Sequence, residues 1–144
     1  MTADAADTAD RTTRRQGRVV LLVEDDEGLR AALVRVLSAR RFETKAFASA
    51  EAALADRDLD WPDCLVVDLN LPALSGLDLV ERLRQRGLTA PAVAISANDE
   101  ARVRYEVRRR GVEHFLAKPF LGSALISLLE QIVGRQQPAG DRCG

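Results

Sequence analysis

The stretch Cys64-Leu65-Val66-Val67-Asp68-Leu69-Asn70-Leu71-Pro72 decides how this chain folds. Leu65, Val66 and Val67 run straight into a carboxylate, and a proline follows four residues later. An unbroken apolar run reads as a strand buried on both faces, as in a parallel sheet, because a strand with one wet face alternates instead. An aspartate at its carboxyl end lies where open α/β sheets place their ligand sites. What else converges on Asp68 then decides the chemistry.

Upstream, residues 19–23 form a second apolar run, which ends in four consecutive acids, Glu24-Asp25-Asp26-Glu27. Asp26 suits a helix N-cap and Glu27 the first turn, where carboxylates meet free backbone N–H groups. Leu29, Ala32, Leu33, Val36 and Leu37 then recur at helical spacing as far as about Arg40. Residues 42–47 make a less apolar strand, expected near a sheet edge. Ser49 caps a short helix through Leu54, and 58–62 form a loop, since Pro62 cannot continue a helix. Downstream of Asp68, the loop 70–75 leads to a third helix marked by Leu77, Leu79, Val80 and Leu83 and stopped at Gly87. A fourth strand, 91–95, runs into Ser96. Asn98 or Asp99 caps a fourth helix, 100–110, stopped at Gly111. A fifth strand, 112–117, precedes Lys118-Pro119, and a fifth helix, 120–133, carries Leu121, Leu125, Leu128, Leu129 and Ile132 on its apolar face.

Five strands alternating with five helices predict an α/β fold, a doubly wound parallel sheet with helices on both faces. The expected domain spans 18–134. Residues 1–17, almost without large apolar side chains, cannot offset their ordering entropy and are expected to be a disordered solubilising tail, as are 135–144. A chain of 144 residues suits one domain with a real core. Its net charge of -1 gives no overall pull towards nucleic acid or an anionic membrane. No apolar run approaches the roughly 20 residues that span a bilayer, and the N-terminus lacks a signal-peptide pattern. Two dispersed cysteines, Cys64 and Cys143, suggest a reducing cytosol rather than a disulfide framework, so a cytoplasmic location is expected.

Asp25, Asp68, Ser96 and Lys118 all lie at or just after the carboxyl ends of predicted strands. Four strands delivering polar groups to one sheet edge is far more specific than any one of those residues. Glu24, Asp25 and Asp68 would crowd carboxylates that repel unless neutralised. A hard divalent cation does this through oxygen ligands, and Mg²⁺ favours one or two carboxylates plus water and phosphate oxygens. Lys118 adds fixed positive charge and Ser96 a hydroxyl donor. Together they make a phosphoryl-transfer site in which a carboxylate attacks in line, with Asp68, ending the central strand, as the acceptor. A glycosidase pair has few aromatics to stack a sugar. A zinc site lacks ligands, since His114 stands alone. No glycine-rich phosphate loop follows any strand.

At these residues the chain resembles the receiver domain of two-component response regulators, over about 18–134. Val23-Glu24-Asp25-Asp26 is similar to that family's acidic pair after the first strand. Val67-Asp68-Leu69-Asn70-Leu71-Pro72 with Ser75-Gly76 is similar to its phosphoacceptor strand and loop. Ile95-Ser96-Ala97 and Phe115-Leu116-Ala117-Lys118-Pro119-Phe120 resemble its Ser/Thr segment and its Lys-Pro turn. The resemblance implies a three-layer, flavodoxin-like (βα)5 fold with strand order 2-1-3-4-5. That order is general to such receivers and is not read from the spacing of this chain.

The resemblance also implies roles. Asp68 takes a phosphoryl group from the phosphohistidine of a sensor histidine kinase or phosphotransfer protein. Mg²⁺, or Mn²⁺ in its place, is bound by Asp25, Asp68 and the backbone carbonyl of Asn70, with Glu24 acting mainly through a metal-bound water and Asp26 left as the helix cap. Ser96 and Lys118 contact phosphoryl oxygens. Phe115 is the switch aromatic, lacking the hydroxyl of a tyrosine, so its orientation is expected to depend on packing alone. Asn70 and Asn98 flank the site and tune phosphoryl lifetime. The face made by the fourth helix, fifth strand and fifth helix serves a downstream target or output domain, or a second copy in a homodimer. Direct nucleic-acid or membrane binding by this domain is not expected.

Two features depart from the family pattern. The fourth helix carries Arg102, Arg104, Arg108, Arg109 and Arg110. It reads either as a solvated face, with Val103 and Val107 turned inward, or as a basic docking face for an acidic partner. Nothing after the fifth helix resembles an output domain; a chain complete as it stands would be a stand-alone receiver, while Gln136-Gln137-Pro138-Ala139-Gly140 reads equally as the start of a linker in a longer regulator. Two other functions compete. A pseudo-receiver binding module conflicts with the intact Glu24, Asp25, Asp68, Ser96 and Lys118 set. An aspartyl-phosphate phosphatase typically has a second aspartate two residues after its nucleophile. Asn70 stands there and cannot transfer a proton, so the chain is expected not to be an enzyme beyond slow self-hydrolysis.

Overall fold

The computed structural model describes residues 18–56 and 62–136. The expected tail 1–17, most of the loop 58–62, Cys143 and the region after 136 lie outside the described residues. Five strands, β1 (Val19–Val23), β2 (Glu43–Phe47), β3 (Cys64–Asp68), β4 (Ala92–Ser96) and β5 (His114–Ala117), alternate with five helices. These are α1 (Glu27–Ala39), α2 (Ala50–Ala55), α3 (Gly76–Gln85), α4 (Ala101–Arg109) and α5 (Gly122–Gln136). The sheet order is β2-β1-β3-β4-β5 and every pairing is parallel.

The continuous apolar runs are explained by what lies on each side. Alternate residues of β1, β3 and β4 enter two separate cores. Leu21, Val23, Leu65 and Val67 pack with Ala53, Leu79, Leu83 and Val107, beneath α2, α3 and α4. Val20, Leu22, Val66, Val93 and Ile95 pack with Leu33, Leu37, Leu125 and Leu129, beneath α1 and α5. A side-chain period of two thus buries both faces of the same strand. Among the described residues strand β2 has one neighbour only, and its half-exposed side chains match an edge position. Cys64 is fully buried in the second core, where desolvation pushes its thiol up to about 12, helped by the nearby Asp63 charge.

Local chemistry sets the boundaries. Asp26 and Ser49 accept hydrogen bonds from Leu29 N and Ala52 N at 2.9 and 3.0 Å, capping α1 and α2. Gly87 and Gly111 take the left-handed conformation that ends α3 and α4, with φ of 100° and 88°. The next residues bond back into the helices, Leu88 N to Leu83 O and Val112 N to Val107 O. That second bond corrects the expected strand 112–117. Val112 closes the helix, although it is buried, so β5 starts at His114. Phe42 is likewise outside β2, its N–H donating to Leu37 O behind α1.

Two further expectations are corrected. The N-cap of α4 is Glu100, without a side-chain cap bond, while Asn98 Oδ1 accepts from Glu100 N at 3.1 Å in the preceding turn. Neither Asn98 nor Asp99 therefore caps the helix. Helix α5 begins at Gly122, leaving Leu121 before it and 74% exposed rather than on the apolar face, and the helix extends to Gln136 instead of ending near 133.

Candidate functional site

The register of the sheet brings the predicted residues together. Asp68 pairs with Ile95 and Ser96 with Ala117, so β3, β4 and β5 finish at one edge, beside Val23 of β1. The residues that follow these ends enter the same space. Glu24 is fully buried, as are the Asp68 and Ser96 side chains to within a few per cent, while Asp25 is exposed. Oxygens of Glu24, Asp25 and Asp68 lie within 4.8 Å of one another.

Each carboxylate is held by specific donors. Asp68 Oδ1 accepts from the Asn70 backbone N–H at 2.9 Å, and Oδ2 accepts from Lys118 Nζ at 3.0 Å. Glu24 Oε2 accepts from Asp26 N at 3.0 Å. Its Oε1 lies 3.0 Å from Lys118 Nζ but makes no hydrogen bond of proper geometry. Lys118 thus faces two buried carboxylates at once. Burial pushes the Glu24 carboxyl up to about 7, against the lowering effects of the Asp26 amide and Lys118, with the Asp68 charge pushing further up. Burial would also lower the Lys118 ammonium, but its hydrogen bond to Asp68 and the attraction of both Asp68 and Glu24 outweigh that and hold it above its ordinary value.

Ser96 Oγ accepts from Asn98 N at 3.0 Å and from Asn70 Nδ2 at 3.3 Å. Its own proton remains available for an oxyanion. Asn70 therefore touches the site with its side chain, but Asn98 does so through its backbone, because its side chain turns back to Glu100. The main chain of Lys118 is tied to the same strand end, its N–H donating to Ser96 O at 2.8 Å, and the following peptide bond to Pro119 is cis.

The donors fit a small, hard divalent cation. Three carboxylates supply oxygens in reach of one point, and Glu24 Oε1 is buried without a hydrogen-bond donor. The Asn70 carbonyl belongs to the turn that the Asn70 N–H makes with Asp68. Among the described residues no His or Cys joins the cluster.

Sequence reasoning missed three contributors. Gly76 opens α3 directly against β3, and a Cβ there would overlap the Asp68 backbone carbonyl. Arg30 Nη1 donates to the Glu24 carbonyl oxygen at 2.9 Å, fixing the acidic turn from α1. Arg104 places its guanidinium 4.4 Å from the centre of the Phe115 ring. That contact corrects the expectation that Phe115 is governed by packing alone, since a cation over an aromatic face is attractive. Only the Ser-Gly pair before an apolar run hinted at the close approach of Gly76; the two arginine contacts join distant elements and left no local signal.

The arginine-rich helix also resolves into parts. Val107 is buried and Val103 half-buried, as their spacing suggested. Arg110 reaches across to α3, 3.0 Å from Asp78 and 2.7 Å from Glu81. Arg109 pairs with Glu106 at 2.9 Å and Arg102 with Glu100 at 3.3 Å. Arg104 and Arg108 have no carboxylate partner among the described residues.

Comparison with known proteins agrees with this fold. The family profile described as the response regulator receiver domain matches residues 20–130. The chain is 30% identical over 122 residues to the response regulator MprA of Mycobacterium avium, covering 85% of this chain and 54% of that protein. It is 32% identical over 108 residues to nodulation protein W of Bradyrhizobium diazoefficiens, covering 75% and 48%. The chain thus spans about half the length of the curated relatives it matches. Among solved structures it is similar to the non-phosphorylated HemR receiver domain of Leptospira biflexa, with a TM-score of 0.74 and 29% identity over 84% of this chain and 98% of that one. The receiver domain of the Francisella response regulator 1452 shares the fold, with a TM-score of 0.77 and 24% identity over 83% and 99%.

Proposed function

The chain belongs to the response regulator receiver family, and on that premise we propose that Asp68 accepts a phosphoryl group from the phosphohistidine of a sensor histidine kinase or phosphotransfer protein. The observation that carries this reading is the setting of Asp68. It is a nearly buried carboxylate whose two oxygens meet a backbone N–H and an ammonium, beside two further acids and a buried hydroxyl. Transfer breaks the bond from phosphorus to the donor imidazole nitrogen, which keeps the electron pair, and forms a bond from phosphorus to an Asp68 oxygen. Glu24, Asp25, Asp68 and the Asn70 carbonyl are the groups that would hold Mg²⁺, or Mn²⁺, which accepts the same oxygen donors. Once bound, the metal supplies positive charge that offsets the clustered acids and the phosphoryl oxygens.

The chain's own residues do the rest. Lys118 already lies against an Asp68 oxygen, so its charge faces the arriving group. Ser96 can turn its free proton towards a phosphoryl oxygen. Doing so weakens the Asn70 contact and draws on β4, next to Phe115 of β5. Added charge at Asp68 thereby biases the face of α4, β5 and α5 on which a downstream protein or output domain reads the state. Asn70 offers no acid or base for hydrolysis, so the protein acts as an acceptor rather than a turnover enzyme. We further propose that this domain acts in the cytoplasm through protein contacts, without membrane or direct nucleic-acid binding. Among the described residues no helix is long and apolar enough to cross a membrane.

Incubation with Mg²⁺ and acetyl phosphate, followed by intact-mass spectrometry, tests the proposal. One phosphoryl group per chain is expected, and chelation of the metal should prevent its addition. No incorporation, or incorporation indifferent to chelator, refutes it. The two asparagines separate in a second measurement. Asn70→Ala should change the rate of phosphoryl loss severalfold, because its side chain contacts Ser96. Asn98→Ala should change it less than about twofold, because only its backbone does. Equal effects would contradict the assigned contacts.

A further inference from the structure

The loop 71–75 carries the chain from the Asn70 turn to Gly76, and both of its ends meet Asp68. Asn70 N donates to Asp68 Oδ1 at 2.9 Å, and Gly76 lies against the Asp68 backbone carbonyl. So short a loop must double back on itself. It does so at Ala73, which is exposed and left-handed, with φ of 62°. That conformation crowds the Cβ of every residue but glycine. A non-glycine residue keeps it only where its neighbours are held. Pro72, on one side, has no N–H with which to be held. Leu74, on the other, donates its N–H to Glu51 Oε2 of α2 at 3.0 Å. Among the described residues no other side chain from outside the loop and α3 bonds the main chain of 71–75.

We infer that Glu51 is a positioning residue for the phosphoacceptor site. Its carboxylate fixes Leu74 N, which keeps Ala73 left-handed and Asn70 in its place between Asp68 and Ser96. This rests on the proposal that Asp68 accepts a phosphoryl group with a divalent metal bound. It adds α2 to the elements that build the site, although Glu51 is no member of the acidic cluster itself.

Without Glu51, Ala73 relaxes towards the uncrowded backbone regions and Asn70, three residues earlier, loses its fixed place. The chain then divides between a held loop, whose Asn70 carbonyl can serve a metal, and a released loop, whose carbonyl cannot. Apparent metal affinity falls with the held fraction, and saturating metal draws the loop back. A contact that only joins α2 to α3 has no such effect. Arg86 makes one, its Nη1 donating to Leu54 O at 3.1 Å near the far end of α2.

Isothermal titration calorimetry of the full chain with Mg²⁺ tests this, alongside initial rates of phosphorylation by acetyl phosphate read by intact mass. Glu51→Ala should weaken Mg²⁺ binding about fivefold, the loss expected when the held fraction falls to about one fifth. Its phosphorylation rate should fall by a similar factor at low Mg²⁺ and return to within about twofold of wild type at saturating Mg²⁺. Glu51→Gln keeps an oxygen that accepts from Leu74 N and should bind Mg²⁺ within about twofold of wild type. Adding Ala73→Gly to Glu51→Ala should restore affinity to within about twofold, because glycine takes this φ without crowding. Arg86→Ala should change affinity by less than about 1.5-fold, as an exposed contact away from the loop. Unchanged affinity in Glu51→Ala, an equal loss in Glu51→Gln, no recovery with Ala73→Gly, or an equal loss in Arg86→Ala overturns the inference. A chain that shows the expected Mg²⁺ pattern but takes no phosphoryl group refutes the acceptor proposal alone. One that is phosphorylated with metal, while Glu51→Ala binds Mg²⁺ as wild type does, refutes the role of Glu51 alone. Wild type that binds no Mg²⁺ refutes both.

Discussion

A Lys118→Ala variant will be phosphorylated by acetyl phosphate about 10²- to 10³-fold more slowly than wild type, the usual scale for losing one preorganised charge donor at a reacting oxyanion. Its ammonium is 3.0 Å from both an Asp68 and a Glu24 oxygen, and the described site holds no other cationic side chain at that distance. The same variant should be less stable in chelator. Breaking a buried ion pair costs roughly 3–5 kcal/mol, but Lys118 is itself partly exposed, so about 2 kcal/mol is expected. Divalent metal should restore more stability to the variant than it adds to wild type, because the metal takes over the neutralising role. Denaturant melts with chelator or Mg²⁺ measure this directly. Equal stabilisation of both proteins by metal would show that Lys118 is not what balances the acids.

Gly76→Ala will destabilise the domain by about 3 kcal/mol, within the range for overpacking against groups that cannot move aside. The added Cβ would overlap the carbonyl of Asp68, which is main chain and is fixed by the β3 ladder. Helix α3 must then retreat or the end of β3 must shift. Either movement displaces the Asn70 turn that holds Asp68 Oδ1. Slower phosphorylation should accompany the lost stability, even well below the melting transition. Gly28→Ala is the matched control. Its nearest neighbour would be an Asp26 side-chain oxygen at an ordinary 3.5 Å, and alanine favours the helix. If Gly76→Ala is as stable as wild type, the close approach of α3 to β3 is wrong.

These two residues mark how far the sequence could be read. Lys118 and Asp68 were legible because strands declare themselves by apolar runs and ligand groups collect where the runs end. The parallel sheet brings those ends to one edge, so four separate local signals became one constellation. Caps and stops were legible where a side chain acts within its own turn, as with Asp26, Ser49, Gly87 and Gly111. Asn98 misled because its side chain builds the turn before α4 and not the cap itself. Val112 misled because an apolar residue after a glycine fits either a strand start or the closing of a helix end, and only its bond to Val107 O decides. Gly76, Arg30, Arg104 and Arg110 were opaque as partners. Each acts on a residue of another element, and no spacing within the chain encodes which element will lie opposite. Arg110 shows this best: five clustered arginines looked alike in sequence, yet one binds α3, two pair locally, and only Arg104 and Arg108 lack a carboxylate among the described residues.

The central claim is that Asp68 carries the phosphoryl group. An acyl phosphate is cleaved reductively by borohydride, which converts the modified aspartate to homoserine and marks its position for peptide mass spectrometry. After treatment with acetyl phosphate and Mg²⁺, the mark is predicted at Asp68 alone and absent from an Asp68→Asn variant. A mark at Asp25, or phosphoryl incorporation that persists in Asp68→Asn, would contradict the account.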